Sequence, residues 1–222
     1  MRWNLPNILT VGRLLAAPAV LLVFFFVSRP LADWIALVLF IVAALTDFVD
    51  GYLARKWHQE SNFGRMLDPI ADKAMVVIAL TVLTALSHLT YWVAIPATII
   101  MFREIFVSGL REFLGDKALL LKVTKLAKWK TTAQMIAIAA LFFATGMEFQ
   151  HEILFTTVEP AEYMRIINEG IIEENGLYPT YAAAKTAAWI SYVMLWLSSA
   201  LTVITGWDYL MKAMPFLREP VK

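Results

Sequence analysis

Six stretches of this chain qualify by apolar character as bilayer-spanning helices: residues 14–27, 31–52, 66–86, 92–109, 129–146 and 182–210. A spanning helix takes about 20 predominantly apolar residues, because each residue rises only about 1.5 Å. The runs are continuous. Barrel strands would alternate apolar and polar positions and leave a much weaker pattern. Across the chain 60% of residues are apolar and 17% charged, with mean hydropathy +0.66, against roughly a quarter charged in soluble domains. The expectation is an all-α, polytopic membrane protein with six transmembrane helices, residues 1–222 forming a single integral membrane domain. The absence of cysteine excludes disulfides and thiolate metal sites, and a net charge of +1 gives no reason to expect a nucleic-acid partner. Arg2 and Arg13 precede the first run without a small-residue cleavage site after it, which predicts a retained helix rather than a signal peptide. Thr10, at the entry of that run, is the predicted N-cap.

Basic residues set the expected orientation. Arg2, Arg13, Arg55, Lys56, Arg65, Lys73, Lys212, Arg218 and Lys222 fall on one side of a six-helix path, as does the basic stretch from Arg111 to Lys130. The other side receives Arg29, the 87–90 turn and the segment 147–180, which carries seven Glu against one Arg. Both termini are therefore expected in the cytoplasm. The helical spacing of Met164, Ile167 and Ile171 predicts an interfacial helix within that acidic outer-face loop.

Within the apolar frame stand four carboxylates. Asp47 and Asp50 end the second run, and Asp68 and Asp72 begin the third. Residues three or four apart share a helix face, so each pair points one way, and antiparallel helices bring both pairs to a similar depth near the cytoplasmic surface. An ionised carboxylate at the centre of a membrane helix costs roughly 2.5–3.5 kcal/mol. Four converging carboxylates suit one or two hard divalent cations, Mg²⁺ or Mn²⁺, with substrate phosphate oxygens as further ligands. For a single Asp an N-cap or turn role explains as much, as at Asp68-Pro69 or Asp50-Gly51. Four at these spacings in two membrane helices favour the cation.

The same residues carry a longer pattern: Asp47-x-x-Asp50-Gly51-x-x-Ala54-Arg55, eight residues, then Gly64-x-x-x-Asp68-x-x-x-Asp72. It resembles the signature of the CDP-alcohol phosphatidyltransferases at every specified position. The segments 4–13, 103–112 and 130–135 are similar to those of bacterial phosphatidylglycerophosphate synthases within that family. The resemblance implies a CDP-alcohol phosphatidyltransferase-like fold in a bacterial inner (cytoplasmic) membrane, with the active site facing the cytoplasm, and a homodimer. It implies transfer of a phosphatidyl group from CDP-diacylglycerol to glycerol-3-phosphate, giving phosphatidylglycerophosphate and CMP. Sister enzymes use inositol phosphate, serine or phosphatidylglycerol as acceptor. Carried onto this chain, the resemblance makes Asp47, Asp50, Asp68 and Asp72 ligands of two ions, with Asp72 also the general base. Gly51, Ala54, Arg55 and Gly64 would shape the CDP-lipid pocket, which Asn7, Thr10 and Arg13 close from the first helix. The acidic segment 147–180 is the main departure.

A phosphorylated acceptor calls for cations. Arg103, Arg111 and Lys130 are the expected phosphate ligands, Arg103 because it follows a long apolar run and because guanidinium forks suit phosphate oxygens. Lys125 and Lys128 are weaker candidates. Lys117 and Lys122 read as a solvated basic face toward anionic membrane lipids, and His58 as a surface residue. Glu104 and Glu112 are expected to pair with the arginines. A cation transporter would need polar positions continuing to the far membrane face, whereas residues 74–86 are apolar apart from threonines.

Overall fold

A computed structural model describes residues 5–57, 61–115, 117, 125–172 and 176–218. Among them the secondary structure is helical: α1 (Leu5–Phe26), α2 (Leu31–Trp57), α3 (Asn62–Leu86), α4 (Tyr91–Leu114), α5 (Lys125–Phe155), α6 (Pro160–Glu169) and α7 (Leu177–Leu217). Five of these, all but α2 and α6, are long and apolar enough within the described residues to cross a membrane. The 27-residue α2, apolar from residue 31 to 45 apart from Asp33 and Trp34, supplies the sixth. The chain is a multi-pass membrane protein.

The helices are longer than the apolar runs, because backbone hydrogen bonding continues into polar residues wherever neighbouring helices accept them. α1 already begins at Leu5. Thr10 is therefore not an N-cap but an interior residue of α1, 2% exposed, with its hydroxyl turned to another helix. At α3 the cap is Ser61, whose side chain accepts the Gly64 N–H at 3.0 Å. Asp68-Pro69 lies inside that helix, so capping does not explain Asp68. α5 runs on to Phe155 and α7 starts at Leu177, leaving α6 as the separate element of the outer segment among the described residues. α6 buries Ile166 against the protein and leaves Met164 61% exposed, while Ile171, expected to share its face, lies beyond the end of the helix at Glu169.

One hydrophobic cluster draws on α1 to α5 and α7, with Phe40 and Phe142 its largest fully buried side chains (ring centroids 6.1 Å apart) and many alanines, among them Ala17, Ala36, Ala79, Ala97 and Ala137. Small residues let membrane helices approach closely where there is no hydrophobic force between them. α5 packs along α7, α1 against α2 and α3, and α4 against α7. Large apolar side chains such as Leu15, Phe25, Phe102, Ile105 and Val193 face outward, while Asn7, Thr10, Arg13, Asp33, Lys130 and Gln134 are buried.

Candidate active site

The site grows from one face of α1. Asn7, Thr10 and Arg13 recur every three residues, and all three are buried. Ser61 donates to Asn7 Oδ1 at 2.7 Å, while Thr10 donates to Asp68 Oδ1 at 2.7 Å. The Arg13 guanidinium reaches three carboxylates: Asp47, Asp72 at 2.6 Å and Asp68 at 3.5 Å. Its side chain is 3% exposed, against 47%, 47% and 45% for Asp47, Asp68 and Asp72. The cation is thus enclosed and the carboxylates keep an open side. Gly64 makes room for this arrangement, since a Cβ there would lie 3.0 Å from Asn7 Oδ1.

The open side of the carboxylates faces a cavity of about 650 Å³, lined by Asp47, Asp68 and Asp72 and, from α4 and α5, by Arg103, Glu104, Arg111, Lys130 and Gln134. Glu104 accepts from Arg103 Nη1 at 3.2 Å and from the Lys130 ammonium, the expected acidic partner of this basic wall. Arg111 lies 5.4 Å from the centre of the Tyr209 ring, a cation–π distance. A Cβ on Gly206 would sit 3.1 Å from Arg103 Cγ, so α7 carries the arginine stem across its backbone there. Lys73 bonds the Ser108 hydroxyl, tying α3 to α4.

The fold thus brings Asn7, Thr10, Arg13, Gly64, Asp47, Asp68 and Asp72 together, and sets Arg103, Arg111 and Lys130 on the same cavity. Asp50, Gly51, Ala54 and Arg55 continue α2 and Lys125 and Lys128 open α5, but their side chains lie outside the described residues, as do His58 and Lys122. Among the described residues no three acidic or histidine side chains stand in a metal-holding arrangement; Asp47, Asp68 and Asp72 converge on Arg13 instead. Sequence reasoning gave no role to Thr131, Thr132 or Gln134, although they follow Lys130 closely and line the cavity. Gly206 and Tyr209 carry no local pattern that would have pointed to partners on α4.

Residues 3–213 match the CDP-alcohol phosphatidyltransferase family. The chain belongs to that family. Its relatives include the CDP-diacylglycerol–glycerol-3-phosphate 3-phosphatidyltransferase of Cereibacter sphaeroides, 56% identical over 219 residues and covering 99% of both chains. The protein of the same name from Rickettsia bellii is 35% identical over 93% of each chain. That of Escherichia coli K12 is 41% identical over 64% of this chain and 79% of its own. CDP-alcohol phosphatidyltransferases transfer phosphatidyl groups from CDP-alcohols and are generally dependent on divalent metal. The chemistry of Asp47, Asp68 and Asp72, all-oxygen, anionic and open toward the cavity, fits such a requirement, although here they close on the Arg13 guanidinium.

Proposed function

We propose that this chain transfers the phosphatidyl group of CDP-diacylglycerol to the primary hydroxyl of glycerol-3-phosphate, giving phosphatidylglycerophosphate and CMP. The observation that carries the reading is a single cavity with carboxylates on one wall and cations on the other. The first wall suits a diphosphate held through metal, the second a phosphorylated acceptor. The names of the relatives agree.

In this reading Asp47, Asp50, Asp68 and Asp72 hold two divalent ions, Mg²⁺ or Mn²⁺, which when bound would neutralise the diphosphate and ease the departure of CMP. Gly51, Ala54, Arg55 and Gly64 shape the CDP-lipid pocket. Asn7, Thr10 and Arg13 order the carboxylates from α1 and close that pocket. Arg103, Arg111 and Lys130 take the acceptor phosphate, with Lys125 and Lys128 as the weaker candidates. The acceptor hydroxyl forms its new bond to the β-phosphorus while Asp72 takes the proton; the bond from that phosphorus to the CMP oxygen breaks, and the electron pair leaves with CMP. No protein nucleophile enters, so positioning and charge neutralisation supply the catalysis. The six spans act as one domain, consistent with their shared hydrophobic cluster.

The test is CMP release from CDP-diacylglycerol by the purified protein with Mg²⁺, comparing glycerol-3-phosphate with inositol phosphate, serine and phosphatidylglycerol. Release with glycerol-3-phosphate alone, abolished by EDTA, is expected. Release with another acceptor instead would overturn the acceptor assignment.

A further inference from the structure

Among the polar side chains that line the cavity and take no part in the proposed reaction, Gln134 has an oxygen without a hydrogen-bond partner. Gln134 is 3% exposed and lines the same cavity as Asp72, Arg103, Arg111 and Lys130, and its Oε1 has no hydrogen-bond partner among the described residues. It lies four residues from Lys130 on α5, on the same helix face and about 6 Å further along the axis. A buried carbonyl oxygen left unsatisfied costs free energy that a methionine or leucine of similar volume would not. As the side chain stands Oε1 has no surface open to solvent, and a turn about its terminal amide, a broad and nearly two-fold torsion, brings it to the side of the group that lines the cavity. Its chemistry asks for one thing, a hydrogen-bond donor delivered from the cavity.

Resting on the acceptor assignment above, we propose that Gln134 is a specificity-determining residue that reads the secondary hydroxyl of glycerol-3-phosphate. That acceptor carries three polar groups. Its phosphate belongs with Arg103, Arg111 and Lys130, and its primary hydroxyl faces Asp72 for proton transfer. The secondary hydroxyl remains, joined to both by single carbons, and as an O–H donor it satisfies Gln134 Oε1. The cytosine amino group of the donor lipid offers the same chemistry. Gln134, however, shares its helix face with Lys130 of the cationic wall, which favours the acceptor. A site with a buried acceptor discriminates against a substrate lacking the donor, because the carbonyl is then desolvated with nothing to bond.

The experiment compares glycerol-3-phosphate with 3-hydroxypropyl phosphate, which keeps the phosphate and the primary hydroxyl but lacks the secondary one. At saturating CDP-diacylglycerol, wild-type protein should prefer glycerol-3-phosphate by about tenfold or more in kcat/KM, the scale of one hydrogen bond. Gln134→Met should erase that preference by losing activity on glycerol-3-phosphate while keeping it on the analogue. Gln134→Glu, which retains an acceptor oxygen, should preserve the preference. Equal use of both acceptors by the wild-type protein would overturn the proposal without any variant. So would a Gln134→Met protein that loses activity on both equally, or whose KM rises for CDP-diacylglycerol instead. Absence of any wild-type activity with glycerol-3-phosphate would show up separately, as failure of the acceptor assignment on which the proposal rests.

Discussion

At the scale of residues, the carboxylate cluster is arranged by its neighbours as much as by its own spacing. Asp68 and Asp72 share a face because they are four apart, but Asp47 joins them only because Arg13 bridges α1, α2 and α3. Thr10 shows the limit of reading positions locally. As the last polar residue before an apolar run it resembles a cap, yet it donates to a carboxylate 58 positions away. Asp68→Asn keeps size and hydrogen bonding while removing a charge from a half-exposed side chain. It is expected to lower kcat/KM by about a hundredfold or more, with the thermal midpoint within a few degrees of wild type. Near-normal metal-dependent turnover by the Asp68→Asn protein would remove Asp68 from the metal site.

At the scale of elements, polar residues decide where helices begin and how they dock. Asp33 stands as an exception in the apolar run of α2, and its reason is Arg29. The guanidinium grips it through Nε at 2.7 Å and Nη2 at 2.8 Å, reaches Thr145 O on α5 at 2.9 Å and lies 4.5 Å from the centre of the Phe149 ring. Asp33 is wholly buried, and a Cβ on Gly146 would come 3.2 Å from its own Cβ, so the pair locks α2 onto α5 at closest approach. Breaking a buried pair from one side costs about 3–5 kcal/mol, since the other charge stays behind. Arg29 is 26% exposed, which puts Asp33→Ala near the lower end of that range. The expected readout is a clear drop in thermal midpoint in detergent with KM for both substrates unchanged in the protein that remains folded. No loss of stability would mean that packing alone holds the two helices. The docking of this pair against α5 was not legible beforehand, because i, i+4 spacing gives the pair but not its burial.

At the scale of the whole molecule, a hydrophobic core holds the helices together while large apolar side chains also cover the outside, and the buried charges of the site cluster at one place between the helices, an arrangement suited to a bilayer. The basic residues of the site end support a cytoplasmic active site and cytoplasmic termini, and α6 would then lie on the outer surface. The absence of cysteine makes this directly testable. In sealed right-side-out vesicles a membrane-impermeant maleimide should label Met164→Cys, on exposed α6, and spare Leu217→Cys, at the end of α7; the opposite pattern would invert the topology. Native mass spectrometry of the same protein should find a homodimer, twice the 25.1 kDa chain mass, and a monomer at micromolar concentration would count against it.

By itself the sequence determined the spans and the carboxylate positions. Apolar run length is matched to bilayer thickness and i, i+4 spacing to helix pitch, both local quantities. The family pattern rests equally on local order. Only the tertiary structure decided that α1 starts nine residues before its apolar run, that Arg13 sits among three carboxylates, that Gly206 clears the stem of Arg103, and that Gln134 lines the cavity with its oxygen unanswered among the described residues. Each of these depends on which helices approach one another and how closely. Such distances between parts far apart in the chain have no counterpart in its local order.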